Sequence, residues 1–270
     1  MRIDDVFEQT HKLPTIPRIV QELIDSFGQD EINVGDIASR ISLDQVITAK
    51  VLRLANSVHF GASRQIGSVH EAIIVLGFNT VRTLVVAAGV TGAFVNTPGF
   101  DRSGFWRASL RVAAVARALA RWVGESSDTG FTCGLLHNIG ELLIRVVEPD
   151  IAAKIDRSVA NGGDRVQLQI NNIGFDYIRL GAELARRWNF PENIQLALAE
   201  QHGTPPGSRL SGVLQGALVL SQAPVGQDPS ETVALLPPEV LASLGLTPEQ
   251  LATGLDDLLH SGREVEDILV

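Results

Sequence analysis

A cysteine and a histidine lie four residues apart in an apolar part of the chain, at Cys133 and His137. On an α-helix this spacing places both side chains on one face, which also carries Glu141. A thiolate and an imidazole so placed can hold half of a zinc site, or they can act as a nucleophile and its base. Because the chain has no second cysteine, a small buried thiol and a hydrogen-bonded core histidine are the plainer interpretation.

Three polar side chains near predicted helix ends form a second candidate group, namely Gln201, His202 and Gln222. The two amides can bind a polar ligand, and solvated amides at the edge of a core are the alternative. An imidazole near a helix C-terminus interacts favourably with the helix dipole, which explains His202 without a ligand. No glycine-rich phosphate-binding loop of the Walker or dinucleotide type occurs in the sequence.

Amphipathic helices must position these side chains, because apolar residues recur at helical spacing and no segment alternates as a strand would. Ile47, Val51 and Leu54 form one such stripe, and Asp44 is placed to cap its helix. Further helices are predicted at about 16–27, 69–76, 83–95, 105–123, 130–148, 176–189, 192–202, 209–222 and 247–259. The sequence therefore predicts an all-α fold.

The predicted helix at 105–123 carries four arginines within an arc of about 120°, given about 100° of rotation per residue. They are Arg107, Arg111, Arg117 and Arg121, and the opposite face carries Val112, Val115, Leu119 and Trp122. Such a face can grip phosphates or an acidic partner. A solvated outer face of an amphipathic helix is the plainer interpretation.

Composition limits the class of protein. The 270 residues can bury a substantial core, and the net charge of -9 disfavours bulk attraction to nucleic acid or to anionic membranes. A single cysteine excludes an intramolecular disulfide framework and fits a reducing compartment. We see no apolar signal segment at the N-terminus and no apolar run long enough to span a bilayer. We therefore expect a cytoplasmic protein with no membrane contact and no direct contact with nucleic acid.

Six segments, taken in order and at their spacing, resemble the HDOD family. They are LPTIP at 13–17, LRLANS at 52–57, AIIVLG at 72–77, FWRASL at 105–110, LLHNIG at 135–140, and the stretch from 181 that ends in WNFP at 188–191. The match covers about residues 12–222. The resemblance implies an all-helical bacterial regulatory domain that is related to HD and HD-GYP phosphohydrolases but usually lacks their catalytic residues.

Two breaks in composition, at 95–99 and 223–229, suggest an internal organisation. An N-terminal block at 12–96 packs on a relict HD-like bundle at 100–222, and residues 96–99 can act as a flexible connection. Residues 230–270 form a helical C-terminal extension, whose leucines are expected to pack on the body. Asn56 and Ser57, at the end of an apolar helix, are predicted to satisfy free backbone groups rather than to touch a partner.

Within this resemblance, six positions correspond to metal ligands of the catalytic relatives. They are occupied by Ala108, His137, Asn138, Tyr177, His202 and Gln222. Helical geometry predicts that Ala108 faces the core, beside Val112. A divalent metal in a phosphohydrolase needs anionic oxygen ligands, which hold it and lower the pKa of its bound water. Since only two histidines remain, we expect no bound metal and no cofactor.

Three hypotheses about function follow. The first is a non-catalytic regulatory domain that binds other signalling proteins. The second is a sensor that holds a small ligand, such as a nucleotide, in the vacated cleft. The third is a residual metal-dependent phosphodiesterase, which would need a ligand set that the sequence does not supply. We favour the first, with the docking surface at the junction of the two helical blocks.

Overall fold

The computed structural model of the chain describes residues 1–9, 13–27, 33–56, 65–94, 100–224 and 227–263. Within these ranges it contains helices only, so the predicted all-α fold is confirmed. The first six helices are α1 Ile3–Phe7, α2 Arg18–Asp25, α3 Val34–Leu43, α4 Gln45–Ala55, α5 Val69–Leu76 and α6 Phe78–Ala93. No helix in these ranges is both long and apolar enough to cross a bilayer.

Eleven further helices follow in the described ranges and build the rest of the molecule. They are α7 Arg102–Trp122, α8 Ser127–Leu136, α9 Ile139–Val147, α10 Pro149–Ala160, α11 Arg165–Ile173, α12 Tyr177–Arg187, α13 Glu192–Ala199, α14 Arg209–Leu220, α15 Pro229–Val233, α16 Pro238–Leu244 and α17 Pro248–Arg263. One contiguous apolar cluster runs through them, from Val6 to Leu258.

The N-terminal block is built around α4, which packs on α6. Asp44 ends α3 and caps α4, because its Oδ1 accepts a hydrogen bond from the Ile47 amide at 3.0 Å. Asn56 joins the end of α4 to the next segment, since its amide binds both the N–H and the C=O of Ile66. The predicted cap at Asp44 and the backbone role of Asn56 are therefore confirmed, whereas Ser57 lies outside the described residues.

The N-terminal block contacts the bundle through aromatic and polar groups. The rings of Phe27 and Phe190 lie 6.4 Å apart, and Gln21 donates a hydrogen bond to the carbonyl oxygen of Trp188 at 2.9 Å. The connection at 96–99, which we expected to be flexible, lies outside the described residues. The contacts that join the two blocks are thus partly apolar and partly polar, as in interfaces between domains.

The arginine face of α7 is only in part the solvated surface that the sequence predicts, because Arg121 is exposed whereas Arg117 is bound to a neighbouring helix. Arg117 keeps only 20% of its side chain exposed and lies 2.8 Å from the Asp128 carboxylate of α8. Thr80 of α6 reaches the other oxygen of Asp128 at 3.4 Å. Trp122, expected in the core, is 41% exposed. The reason is that α8 packs on α7 and covers Arg117, while Trp122 lies near the end of α7 against Gly254 of α17.

The predicted helix at 130–148 is two helices, α8 and α9. The break falls at His137 and Asn138, where Asn138 adopts φ -113° and ψ 15°. A glycine on each side of the break allows a neighbouring helix to approach the backbone closely. A Cβ at Gly134 would lie 2.5 Å from the Cα of Ala113 on α7, and one at Gly140 would overlap the carbonyl oxygen of Tyr177 on α12. Thus α7, α8, α9 and α12 converge on the break.

The C-terminal extension packs on the body as its leucines suggested. Helix α17 contacts α7, and α16 contacts α14. Leu251, Leu255 and Leu258 are each at most 1% exposed. Gly254 sits against the ring of Trp122, and a Cβ there would overlap the ring. The extension therefore shares the core of the bundle instead of forming a separate unit.

Candidate functional site

The break between α8 and α9 holds the first two candidate residues. His137 is 9% exposed, and its Nδ1 lies 2.6 Å from the carbonyl oxygen of Gly134, so Nδ1 carries the proton of the neutral ring. Burial lowers the pKa of His137 from 6.5 to about 4. Asn138 is half-buried, and its Oδ1 lies 3.1 Å from the Ser109 hydroxyl of α7. Both side chains are thus bound to neighbouring protein groups.

Tyr177 and His202 meet on the other side of the break. The Tyr177 hydroxyl lies 3.2 Å from Nε2 of His202, and burial raises the pKa of Tyr177 to about 12. Gln201, next to His202, is buried and donates hydrogen bonds to the carbonyl oxygens of His137 at 2.9 Å and Leu198 at 3.0 Å. These bonds tie the end of α13 to the break between α8 and α9.

The structure corrects the predicted environment of Ala108. This residue is exposed, and its neighbours Trp106, Ser109 and Leu110 form the buried face of α7. The side chain that reaches Asn138 is therefore Ser109, one position further along the helix. The expectation of a methyl group inside the core is wrong, because the buried face of α7 is rotated relative to the one we inferred. The correspondence of Ala108 to a metal ligand stays a prediction.

Two adjacent cavities contain the other candidates except His137. Asn138 and Tyr177 line one of about 270 Å³. His202 and the exposed Gln222 line another of about 380 Å³. The hydrogen bond between Tyr177 and His202 lies between the two. The structure thus gathers Asn138, Tyr177, His202 and Gln222 around two neighbouring cavities, and Gln201 joins His137 to them through its carbonyl oxygen. Their role as former metal ligands is still a prediction.

A buried ionic network beside the smaller cavity was missed in the sequence. Arg165 of α11 contacts Glu141 of α9 at 3.0 Å and Asp156 of α10 at 2.8 Å. Arg145 binds both oxygens of Asp156, the second at 2.9 Å. Gln169 donates to the remaining oxygen of Glu141 at 3.2 Å. The one available signal was Glu141 itself, a carboxylate on the predicted apolar face of its helix.

The electrostatics of this network are set by burial and by its two arginines. Burial raises the pKa of Glu141 above its usual range, and the guanidinium groups of Arg165 and Arg145 only partly oppose the rise. Burial also disfavours the ionised form of Asp156. The hydrogen bonds from the same two arginines outweigh this effect of burial and hold the pKa of Asp156 below its usual value. Arg145 further lies 4.2 Å above the centre of the Phe100 ring. The four charges balance one another.

These residues do not fit the divalent cation that the family resemblance implies for catalytic relatives. Across the described residues, no group of three or more histidine, cysteine or acidic side chains is placed to hold a metal ion. The carboxylates of the ionic network, Glu141 and Asp156, are bound by guanidinium groups, which repel a cation. Cys133 is fully buried, and burial raises the pKa of its thiol, which disfavours the nucleophilic thiolate.

Comparison with known proteins places this architecture in a family. A crystal structure from Shewanella amazonensis SB2B, described provisionally as a phosphohydrolase, is similar with a TM-score of 0.81 and 31% identity over 98% of both chains. An HDOD domain protein of unknown function from Geobacter sulfurreducens has a TM-score of 0.79 at 23% identity, covering 100% of this chain and 98% of that one.

A longer relative and a family model complete the comparison. An uncharacterized protein of Treponema pallidum (strain Nichols) is 26% identical over 209 residues, which is 76% of this chain and 39% of that protein. The chain thus spans about two fifths of the length of that relative. The model of the HDOD domain matches residues 13–204, well over half of the sequence. On this match, and on a fold shared over nearly its whole length, the chain belongs to the HDOD family.

Proposed function

We propose that this protein is a non-catalytic signalling domain that acts through contacts with other proteins. The observation that carries the proposal is the state of the side chains around the break between α8 and α9. His137 is bound to Gly134, Asn138 to Ser109, and Tyr177 to His202. Groups that bind one another in this way offer no common point at which two metal ions could activate a water.

The ionic network supports the same conclusion. Glu141, which lines the smaller cavity with Asn138 and Tyr177, and its network partner Asp156 each contact at least one guanidinium group within 3.0 Å. A metal ion that took these carboxylates as ligands would leave the guanidinium groups of Arg145 and Arg165 without partners. Leaving partly buried charges unpaired is costly. The network therefore favours a structural role for a region that holds metal in catalytic relatives.

The proposed docking surface is the junction surface, defined as Gln21 and Asp25 of the N-terminal block with Trp188 and Asn189 of the bundle. Asn189 lies 3.3 Å from Asp25, and Gln21 binds the carbonyl oxygen of Trp188. Asp25 and Asn189 are exposed. A small shift of one block on the other would change this surface, and a partner could respond to the change.

We expect the purified protein to contain no stoichiometric Mn, Fe, Zn or Mg and to leave cyclic dinucleotides unhydrolysed. Two neutral imidazoles cannot hold a hard cation against water. Elemental analysis after growth with added metals measures the metal content, and a hydrolysis assay measures turnover of cyclic dinucleotides. About one metal ion per chain that is lost in His137→Ala, or metal-dependent turnover lost in the same variant, would contradict the proposal.

Partner binding is expected to depend on the junction surface and not on the two histidines. Asp25→Arg reverses an exposed charge there, so it should weaken capture of the native partner by affinity purification from the native cell. His137→Ala combined with His202→Ala should leave capture nearly intact. Circular dichroism checks that each variant is folded. Loss of the partner in the folded double histidine variant would instead assign binding to the old metal cleft.

A further inference from the structure

The larger of the two cavities has features that the protein-binding role does not use. It lies between α14, the turn at 201–204 and the start of α16, and its volume is about 380 Å³. Pockets of about 300–1,000 Å³ commonly hold small molecules. Leu218 and Val219 supply an aliphatic wall from α14, and Val240 supplies the facing wall from α16.

The lining of this cavity contains no lysine, arginine, aspartate or glutamate, and its one histidine, His202, has a pKa that burial lowers, which favours the neutral ring. An ionic ligand would lose its hydration there without gaining a counter-charge, which is unfavourable. The arginine-rich cavity on the other side of Tyr177 differs in this respect. The larger cavity is therefore suited to a neutral molecule rather than to a phosphate or a carboxylate.

One amide in the lining has an unused acceptor. The Nε2 of Gln201 donates to two carbonyl oxygens, those of His137 and Leu198, so the orientation of the amide is determined by its partners. Its Oε1 is buried and has no hydrogen-bond donor among the described residues. Buried acceptors are rarely left without a partner. At the rim, the exposed Gln222 offers a second amide, with a donor and an acceptor.

We propose that this cavity binds a neutral planar heterocycle, of the size and polarity of a nucleobase or its nucleoside. An N–H of the ligand, in the ring or on an exocyclic amine, donates to Oε1 of Gln201 after a small displacement of the cavity wall, because that oxygen is shielded from water. The faces of the ring lie against Val219 and Val240. Since these residues belong to α14 and α16, the bound ligand strengthens the contact of the C-terminal extension with the body. This inference does not depend on the proposed protein-binding role.

The test uses the full chain with adenine, hypoxanthine, uracil, their nucleosides and the 5′-monophosphates, each at about 1 mM, a concentration that detects weak binding. Ligand-observed NMR and thermal shift should both report binding of at least one base and its nucleoside. Val219→Trp fills the cavity and should abolish the signal. Val46→Trp, which adds the same side chain at an exposed position on α4, should leave it unchanged.

A second variant keeps the test decisive if Val219→Trp does not fold. Gln222→Ala alters only an exposed rim side chain and should weaken binding by about tenfold, whereas Gln45→Ala on the exposed surface of α4 should not. The inference is overturned if no base or nucleoside binds. It is equally overturned if a monophosphate binds more tightly than its nucleoside, or if binding survives both cavity variants.

Discussion

Replacing Leu54 by alanine is expected to lower the free energy of unfolding by about 2–5 kcal/mol. Leu54 lies on the buried face of α4, and its side chain is 0% exposed. Its neighbours on that face, Val51 and Ala55, are equally buried. Because packed helices adjust only partly to a lost side chain, the variant loses both the transfer free energy and the contacts around the resulting cavity. Denaturant unfolding at neutral pH measures the change.

Leu43→Ala is the matched control for this variant. Leu43 ends α3 and is 84% exposed, so its loss should change the free energy of unfolding by no more than about 0.5 kcal/mol. The denaturant dependence should be similar in both variants, which shows that the unfolded states are comparable. A Leu54→Ala effect as small as the control would mean that the buried face of α4 is assigned incorrectly.

Acidification is expected to destabilise the protein through His137. Its pKa is about 4 in the folded protein against 6.5 for a free histidine, so the folded state binds fewer protons than the unfolded state between these values. The stability that the folded protein gains from keeping the ring of His137 neutral is therefore fully present above pH 6.5 and is lost as the pH falls towards 4. By pH 5 the loss should amount to about 2 kcal/mol relative to pH 7.

The measurement compares unfolding at pH 7 and pH 5 for the natural sequence and for His137→Gln. A glutamine can still donate to the carbonyl oxygen of Gly134 but does not titrate, so the variant should lose about 2 kcal/mol less on acidification. His70→Gln, at an exposed position on α5, corrects for the general effect of removing a histidine. Equal pH dependence in His137→Gln and the natural sequence would show that His137 is not a buried neutral base.

Local sequence signals predicted much of the helical fold. Asp44 before the stripe of Ile47, Val51 and Leu54 gave the start of α4 correctly, because both the cap and the packing face depend on residues close in sequence. The break at Asn138 was not predicted. The apolar period continues across it, and only the contacts of α9 with α12, which lie far apart along the chain, reveal that the helix ends there.

The candidate site was predictable where a family motif covers it. His137, Asn138, Tyr177 and His202 do lie together, whereas Ala108 faces away from the core. The ionic network escaped prediction because charged residues on short helices usually mark a solvated surface. Whether they are buried depends on how α10 and α11 pack on α9, and that information is not local.

The covering of α7 by α14 and α17 has a practical consequence for protein production. The family match ends at residue 204, but α14 to α17 all follow that point. Leu119 of α7 is fully buried and touches α14, where a Cβ at Gly216 would lie 3.0 Å from its side chain. A fragment trimmed to the matched segment would leave this apolar face in water and favour aggregation. A fragment intended for production should therefore include α14 to α17, although the family match ends before them.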